Sequence, residues 1–310
     1  MRPDISVVIP LLNEEKTLPA LCDRLVGVLK NLNRHEVIFV DDGSTDKTTG
    51  IIEEIIQKNL LQTKLITFSR NFGHQSAVSA GLEHSSGEVV VIMDGDLQDP
   101  PEIIPSLIQK WKEGYNIVYA IRTKRKENMI KRLLYSGFYR VLQKMADVDI
   151  PLDAGDFSLM DRSVVDAIVR LPEKNRFIRG LRSWTGFSSI GVVYERDERV
   201  AGKTKYTLRK LFHLAFDGIT GFSTFPLKLS EYIGFSMTIL SFFSGISIII
   251  LWLTVGIAVP GWTSLVLVLF FLGGIQLFVL GVMGEYVGRI YIEVQNRPVY
   301  IIKKKIGFKE

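Results

Sequence analysis

The chain has 310 residues, of which 47% are hydrophobic, and it carries a formal net charge of +5 with one cysteine. This length suits one large or two modest domains, and the hydrophobic fraction is high for a wholly soluble protein, so part of the chain is expected in lipid. One cysteine excludes an internal disulfide framework. The positive charge comes without a nucleic-acid-binding motif, which favours anionic lipid headgroups and phosphorylated substrates as partners over nucleic acid.

Short runs rich in β-branched residues alternate with helical patterns through the first 123 residues. The helical patterns cover 14–32, 46–58 and 74–84, and a fourth helix opens at Pro101. The runs are ISVVIP, EVIFVDD, KLITFS, VVVIMD and NIVYAI. This rhythm predicts βαβ units and a Rossmann-like, mostly parallel α/β sheet with helices on both faces. Ligands of such sheets bind beyond the carboxyl ends of the strands.

The fourth run ends in a short acidic motif, Asp94-Gly95-Asp96. A strand buried on both faces is a poor place for carboxylates without a function. Two carboxylates at this spacing suit Mg²⁺ or Mn²⁺, which take carboxylate and substrate phosphate oxygens, and Gln98 offers a further neutral oxygen. The glycine lets the backbone approach a ligand closely. The alternative is ordinary turn chemistry, in which Asp-x-Asp is common.

The segment after the predicted sheet ends in an amphipathic helix. A basic segment and a helix to residue 145 come first, followed by DAGDFSLMDR, two further helical stretches and the run IGVVYE. Between 206 and 222 apolar residues then recur at helical spacing, at Leu208, Leu211, Phe212, Ala215, Phe216 and Ile219. The basic residues flanking this stripe favour a helix in the membrane interface, and packing against the globular domain is the alternative.

Two long uncharged stretches, 232–259 and 262–284, predict a transmembrane hairpin. Each exceeds the roughly 20 residues needed to span a bilayer, and Pro260-Gly261 between them predicts a tight turn. Basic residues on both flanks, with no secretory signal at the start, predict a multi-pass cell-membrane protein whose first 230 residues lie in the cytoplasm. Glycines in the second stretch favour close helix packing, within the hairpin or in a homo-oligomer.

Five stretches together resemble the family 2 glycosyltransferases, specifically the polyisoprenyl-phosphate glycosyltransferases that include dolichol-phosphate mannose synthase. The stretches follow the family's order and cover nearly all of the predicted cytosolic part; they are VVIPLLNEE, VDDGSTD, DGDLQDPPE, GDFSLMDR and RVAGKTKY. The hairpin looks like that of the bacterial subgroup that loads a sugar onto undecaprenyl phosphate. The resemblance implies a GT-A-type domain over 1–205, juxtamembrane helices over 206–228, two membrane helices over 229–290 and a basic cytosolic tail over 291–310.

The resemblance also implies a donor site. The nucleotide pocket and the base are matched by Pro10, Leu12, Asn13, Glu14, Val40 and Asp42. The diphosphate would be bound by Asp94, Gly95 and Asp96, directly or through the metal, and basic positions around the substrate phosphates are matched by Arg122, Arg199 and Lys205. Leu12 departs from the pattern, because several relatives have an aromatic residue there. UDP-glucose is the expected donor, with UDP-N-acetylglucosamine, other UDP-sugars and GDP-mannose as alternatives.

The acceptor side is implied in the same way. The lipid phosphate would be bound by Arg132 and Ser136, together with Arg122, and Asp156 matches the family's candidate catalytic carboxylate, with Asp153 as the alternative. A phosphate monoester with a second pKa of about 6 is largely dianionic at neutral pH and needs little help from a base. We therefore expect direct in-line attack with inversion, supported by Asp156 as a base or orienting group and by Asp96 at the diphosphate.

Three rival interpretations are weaker. A processive polysaccharide synthase usually carries more spans and a Gln-x-x-Arg-Trp motif, which this sequence lacks. A membrane-anchored nucleotide sensor without turnover does not need the carboxylates at Asp94, Asp96 and Asp156. The segment AGKTKY imitates the end of a phosphate-binding P-loop, but Asp197 stands where that motif requires its first glycine.

Overall fold

The computed structural model describes residues 3–30, 32, 34–58, 61–123, 154–195, 223–255 and 261–308. The chain divides into two compact units. The first contains the described residues up to Glu195 together with the C-terminal segment from Pro298, and the second contains those from Ser223 to Arg297. The predicted amphipathic helix at 206–222 lies outside the described residues.

The first unit is built on an eight-stranded mixed sheet of order β7-β5-β6-β4-β1-β2-β3-β8. Its strands are β1 (Ile5–Leu11), β2 (His35–Asp41), β3 (Thr63–Phe68), β4 (Val89–Ile92), β5 (Ile117–Thr123), β6 (Ala154–Asp161), β7 (Ser189–Glu195) and β8 (Ile302–Ile306). Strands β1 to β4 pair in parallel, as the βαβ rhythm predicts. The predicted α/β fold of GT-A type is confirmed.

Helices cover both faces of this sheet. They are α1 (Leu18–Leu29), α2 (Thr48–Lys58), α3 (His74–Glu83), α4 (Ile104–Lys112) behind a 3-10 turn at Pro101–Ile103, α5 (Arg162–Arg170) and α6 (Ile178–Trp184). The central strands are fully buried, with Val7, Phe39 and Val91 at 0% exposure. The hydrophobic core therefore fixes the strands, and the polar loops at their carboxyl ends are left to form a site.

Strand β6 was not anticipated as a strand, and it determines where the acidic residues meet. It lies between β4 and β5 and pairs antiparallel with both. Ser158 of β6 is opposite Ile92 of β4. Because the two strands run in opposite directions, Asp156 lies at the same edge of the sheet as Asp94.

The C-terminal segment, predicted as a basic cytosolic tail over 291–310, contains a strand. Residues 302–306 form β8, which pairs antiparallel with β3 and completes the sheet. Lys304 Nζ lies 2.7 Å from Glu53 Oε1 of helix α2. The sequence did not predict this strand, because the three consecutive lysines at 303–305 break the alternation of apolar and polar residues. Charged residues are nevertheless typical of an edge strand.

The second unit contains two long helices, α7 (Phe225–Val255) and α8 (Trp262–Gln295). By length and composition both are able to cross a membrane. Their large apolar side chains are exposed, for example Phe270 at 78% and Leu277 at 72%, as expected for lipid-facing helices. Helix α8 continues past the predicted end at 284 to Gln295, where Asn296 adopts a left-handed conformation with φ of 47°. These helices support membrane association.

Candidate active site

The loops after β1 and β2 hold each other through hydrogen bonds. The backbone N–H of Asn13 donates to Ser44 Oγ at 2.9 Å, and Asn13 Oδ1 accepts from the N–H of Thr45 at 2.9 Å. The N–H of Glu14 donates to Thr48 Oγ1 at 2.9 Å. Asn13, predicted to bind the nucleotide, therefore uses its side chain to fix the loop.

The two aspartates at the end of β2, Asp41 and Asp42, also accept hydrogen bonds from the backbone. Asp41 is fully buried and accepts from the N–H of Ser44 at 2.9 Å and from Thr49 Oγ1 at 2.6 Å. Asp42 is 3% exposed and accepts from the N–H groups of Phe72 and Gly73 at 2.7 and 3.0 Å. Burial raises the pKa of Asp42. The predicted base-binding Asp42 thus ties the loop after β2 to the loop after β3.

The other predicted pocket residues of β1 and β2 lie next to each other. Pro10 and Val40 are register partners in the sheet, and both are buried. Leu12 follows β1 and is half-buried. The structure thus brings these three residues to one corner of the sheet edge, beside the interlocked loops.

The two aspartates of the acidic motif after β4 make different contacts. Asp94, whose side chain is 31% exposed, lies with Oδ1 3.0 Å from His74 Nε2. Asp96 Oδ1 accepts from the backbone N–H of Gln98 at 3.1 Å, as in turn chemistry. A Cβ on Gly95 would lie 2.2 Å from Leu11 Cδ2. Close packing against β1 therefore favours a glycine at this position, and its approach to a ligand stays a prediction.

Asp156 is held by an arginine that the sequence analysis did not identify. Its two carboxylate oxygens lie 2.7 and 3.0 Å from Nε and Nη2 of Arg179 on helix α6. Burial by itself raises the pKa of Asp156, but the charge and hydrogen bonds of Arg179, with the charges of His74 and Arg182, hold it well below its usual range. Asp156 is thus a stable carboxylate and a weak proton acceptor.

The imidazole ring of His74 lies between Asp94, which follows β4, and Asp156 of β6. Its Nδ1 lies 3.9 Å from Asp156 Oδ2, while Nε2 faces Asp94. Burial alone lowers the pKa of His74, but the hydrogen bond and charge of Asp94, with the charge of Asp156, raise it to about 8. His74 is not among the predicted site residues, although its position after the third strand is the signal that identified the other loops.

Arg182 completes the cluster on helix α6. It is 3% exposed, and its guanidinium carbon lies 5.7 Å from the centre of the Tyr119 ring. Burial lowers the pKa of Arg182 to about 10, so that the side chain is still cationic at neutral pH. No sequence pattern identified Arg182, because only the tertiary fold brings helix α6 next to β6.

The residues at the end of β4 fit a divalent cation in their chemistry. Within the described part of the chain no group of three or more His, Cys, Asp or Glu side chains could hold a metal. Asp94 and Asp96 are both partly exposed at the sheet edge, and two carboxylates plus substrate phosphate oxygens are a usual set for Mg²⁺. A cation bound here therefore depends on the substrate for part of its coordination.

The remaining predicted residues are not described at the level of side chains. Arg122 lies near the end of β5, at the site's edge of the sheet, but its side chain is not among those described. Arg132, Ser136, Asp153, Arg199 and Lys205 lie outside the described residues. Their assignments stay predictions.

Comparisons with known proteins identify the family of this chain. The profile of the family described as glycosyl transferase family 2 matches residues 6–169. The uncharacterized glycosyltransferase YkcC of Bacillus subtilis is 47% identical over 308 residues, covering 98% of this chain and 94% of the relative. The bactoprenol glucosyl transferase of Shigella phage SfII is 46% identical over 303 residues, covering 97% of each. The crystal structure of Mycobacterium tuberculosis glucosyl-3-phosphoglycerate synthase with Mn²⁺, UDP-glucose and phosphoglyceric acid matches with TM-score 0.48 and 22% identity, over 70% of this chain and 78% of that one.

Proposed function

The chain belongs to glycosyl transferase family 2, and from this premise we propose that it transfers glucose from UDP-glucose to undecaprenyl phosphate at the cytoplasmic face of the cell membrane. It is a glycosyltransferase of the polyisoprenyl-phosphate type that acts on a lipid carrier. The observation that carries the proposal is the near full-length similarity to bactoprenol glucosyl transferases, in a chain whose Asp94 and Asp156 meet at one edge of the sheet.

The nucleotide is proposed to lie over the ends of β1 and β2, with its diphosphate at Asp94 and Asp96. These two carboxylates, with Gln98, are the residues that would hold Mg²⁺ or Mn²⁺. Such a cation supplies Lewis-acid neutralisation of the departing diphosphate. The protein's own part is rigidity, because the interlocked loops after β1 and β2 present a preformed surface to the nucleotide.

The reaction needs no general base. An oxygen of the dianionic acceptor phosphate attacks the anomeric carbon, the bond from that carbon to the diphosphate oxygen breaks, and one negative charge leaves with the nucleotide. No proton is transferred, which suits an Asp156 that is paired with Arg179 and stays ionised. We assign Asp156 an orienting role, and the attack is expected to invert the anomeric configuration.

The membrane topology is part of the proposal. Helices α7 and α8 are proposed to span the membrane as a hairpin, with the sheet unit in the cytoplasm. The apolar windows of both helices and the basic residues on their flanks support this arrangement. Because the acceptor is itself a membrane lipid, a membrane-bound enzyme meets it by lateral diffusion.

The test uses the purified full chain in liposomes containing undecaprenyl phosphate. A panel of radiolabelled UDP-glucose, UDP-N-acetylglucosamine and GDP-mannose is followed by lipid extraction. We expect label in lipid from UDP-glucose, its loss on chelation and its restoration by Mg²⁺ or Mn²⁺. The double variant Asp94→Asn, Asp96→Asn should lose at least about a thousandfold in rate.

Asp166→Asn is the matched control, since its carboxylate is on the surface and 3.6 Å from Arg162 Nη1. It should transfer sugar like the wild type. Label from another nucleotide sugar alone would reassign the donor and keep the reaction. Absence of lipid label from every donor, or an active double variant, would contradict the proposal.

A further inference from the structure

The two carboxylate oxygens of Asp94 have different surroundings. Oδ1 lies 3.0 Å from His74 Nε2. Because an ionised carboxylate only accepts hydrogen bonds, this contact requires a proton on Nε2, whether the ring is neutral or charged. Among the residues that the structure describes, Oδ2 of Asp94 has no hydrogen-bond partner. The side chain is 31% exposed, so Oδ2 is the oxygen that remains for a cation.

The ring of His74 makes its one short carboxylate contact with Asp94. Its Nδ1 is 3.9 Å from Asp156 Oδ2, which is longer than a hydrogen bond. Gln75 Nε2 lies 3.4 Å from the same Nδ1, and Gln75 Oε1 accepts from the backbone N–H of Ile178 at 2.9 Å. Through Gln75, the first residue of helix α6 therefore restricts where the ring can lie.

The backbone of His74 is also held in place. His74 is the first residue of helix α3 and follows Gly73, whose φ of 99° lies in the region that favours glycine. The N–H of Gly73 donates to the buried Asp42 at 3.0 Å. The side chain of His74 is nevertheless 42% exposed, and ion pairs exposed to this extent contribute little to stability. Its fixed position is thus better explained by what it orients than by what it stabilises.

We propose that His74 is a positioning residue for the divalent cation, which it serves by holding Oδ1 of Asp94 through Nε2–H and leaving Oδ2 to bind the metal. This rests on the proposed function and goes beyond the expected metal residues Asp94, Asp96 and Gln98. Carboxylates that bind metals are themselves hydrogen-bonded, and loss of such an outer partner weakens metal binding about tenfold to a hundredfold. An aspartate already held in one orientation loses less rotamer freedom when the cation binds.

The experiment measures Mn²⁺ binding without turnover. The purified full chain in detergent is titrated with Mn²⁺ in the presence of UDP, and free Mn²⁺ is followed by its EPR signal. A pH of about 8.5 lies above the pKa of His74, so that the variants differ little in charge. His74→Phe keeps a ring without an N–H donor and should raise the Kd for Mn²⁺ about tenfold to a hundredfold. His74→Gln keeps an N–H donor and should stay within about threefold of the wild type.

His84→Gln is the matched control. It removes the histidine at the other end of α3, which contacts Lys305, and it should leave the Kd unchanged. Wild-type affinity in His74→Phe would overturn the inference. Equal weakening in His74→Phe and His74→Gln would also overturn it, because the hydrogen bond would then not be the cause. A marked loss of thermal stability in both variants would make His74 a structural residue. Absence of Mn²⁺ binding by the wild type with UDP would instead overturn the metal dependence of the proposed function.

Discussion

The two halves of the site use acidic residues in opposite ways. On the side of β1 to β3, Asp41 and Asp42 accept hydrogen bonds mainly from backbone N–H groups and hold loops in place. On the side of β4 and β6, Asp94 and Asp156 face charged side chains, namely His74 and Arg179. Carboxylates of the first kind hold loops in position, whereas those of the second kind set the charge at the sheet edge. Both kinds of carboxylate lie near strand ends in the sequence, so this position alone does not tell which kind a carboxylate is.

Among single substitutions, the largest expected effect comes from Asp156→Asn. The substitution removes the charge that compensates Arg179 and Arg182, and breaking such a partly buried pair should cost about 2–3 kcal/mol of unfolding free energy. Sugar transfer should fall about a hundredfold or more, because the orienting group is lost. Denaturant unfolding and the initial rate of lipid glycosylation are the measurements. Near-normal transfer by this variant would place Asp156 among the structural carboxylates.

The same pair determines a pH dependence. The folded-state pKa of Asp156 is lowered, so its stabilisation is present above the unfolded pKa of about 4 and is lost as the pH falls through the folded value. Asp156 should therefore stay ionised between pH 5 and pH 7. We expect no fall of kcat toward pH 5 that is present in the wild type and absent in Asp156→Asn. Such a fall would return the residue to the role of a general base.

An intermediate effect is expected from Asp41→Ala, on the β1 to β3 side of the site. The backbone N–H of Ser44 and the hydroxyl of Thr49 lose their acceptor in a buried place, which should cost about 1–3 kcal/mol of unfolding free energy. Transfer per folded molecule should stay within about twofold of the wild type. Thr49→Val removes one of the two partners and should cost about half as much. A variant that is stable but inactive would show that Asp41 meets the substrate.

The smallest effect concerns His74 and is spectroscopic. In the metal-free protein its imidazole should titrate at about 8, followed by NMR of the ring protons. Because this pKa is raised from 6.5, the stabilisation from the protonated ring is full below about 6.5 and is lost as the pH rises through 8. In Asp94→Asn the value should fall, since Asp94 supplies the hydrogen bond. An unchanged value would contradict the contact.

The sequence predicts strands β1 to β4 well and the region of β6 poorly. Strands β1 to β4 are continuous apolar runs whose burial decides their structure, and their ends follow from the parallel topology. Asp156 was assigned by family resemblance, since nothing local marks β6 as a strand between β4 and β5. Arg179 and Arg182 escaped because a seven-residue helix carries little periodicity, and their meeting with Asp156 is a tertiary contact. His74 was within reach, because it follows a strand end as the other loops do.

Strand β8 makes the catalytic unit discontinuous along the chain. Along the chain, both long apolar helices separate its described residues up to Glu195 from its last strand. Strand β3 nevertheless has β8 as its hydrogen-bonding neighbour on one side. A shortened chain that stops before α7 would leave β3 as a bare apolar edge, which is a template for aggregation. A water-soluble version should therefore keep residues 298–308 and join them to the end of the sheet segment through a flexible linker in place of the two long helices.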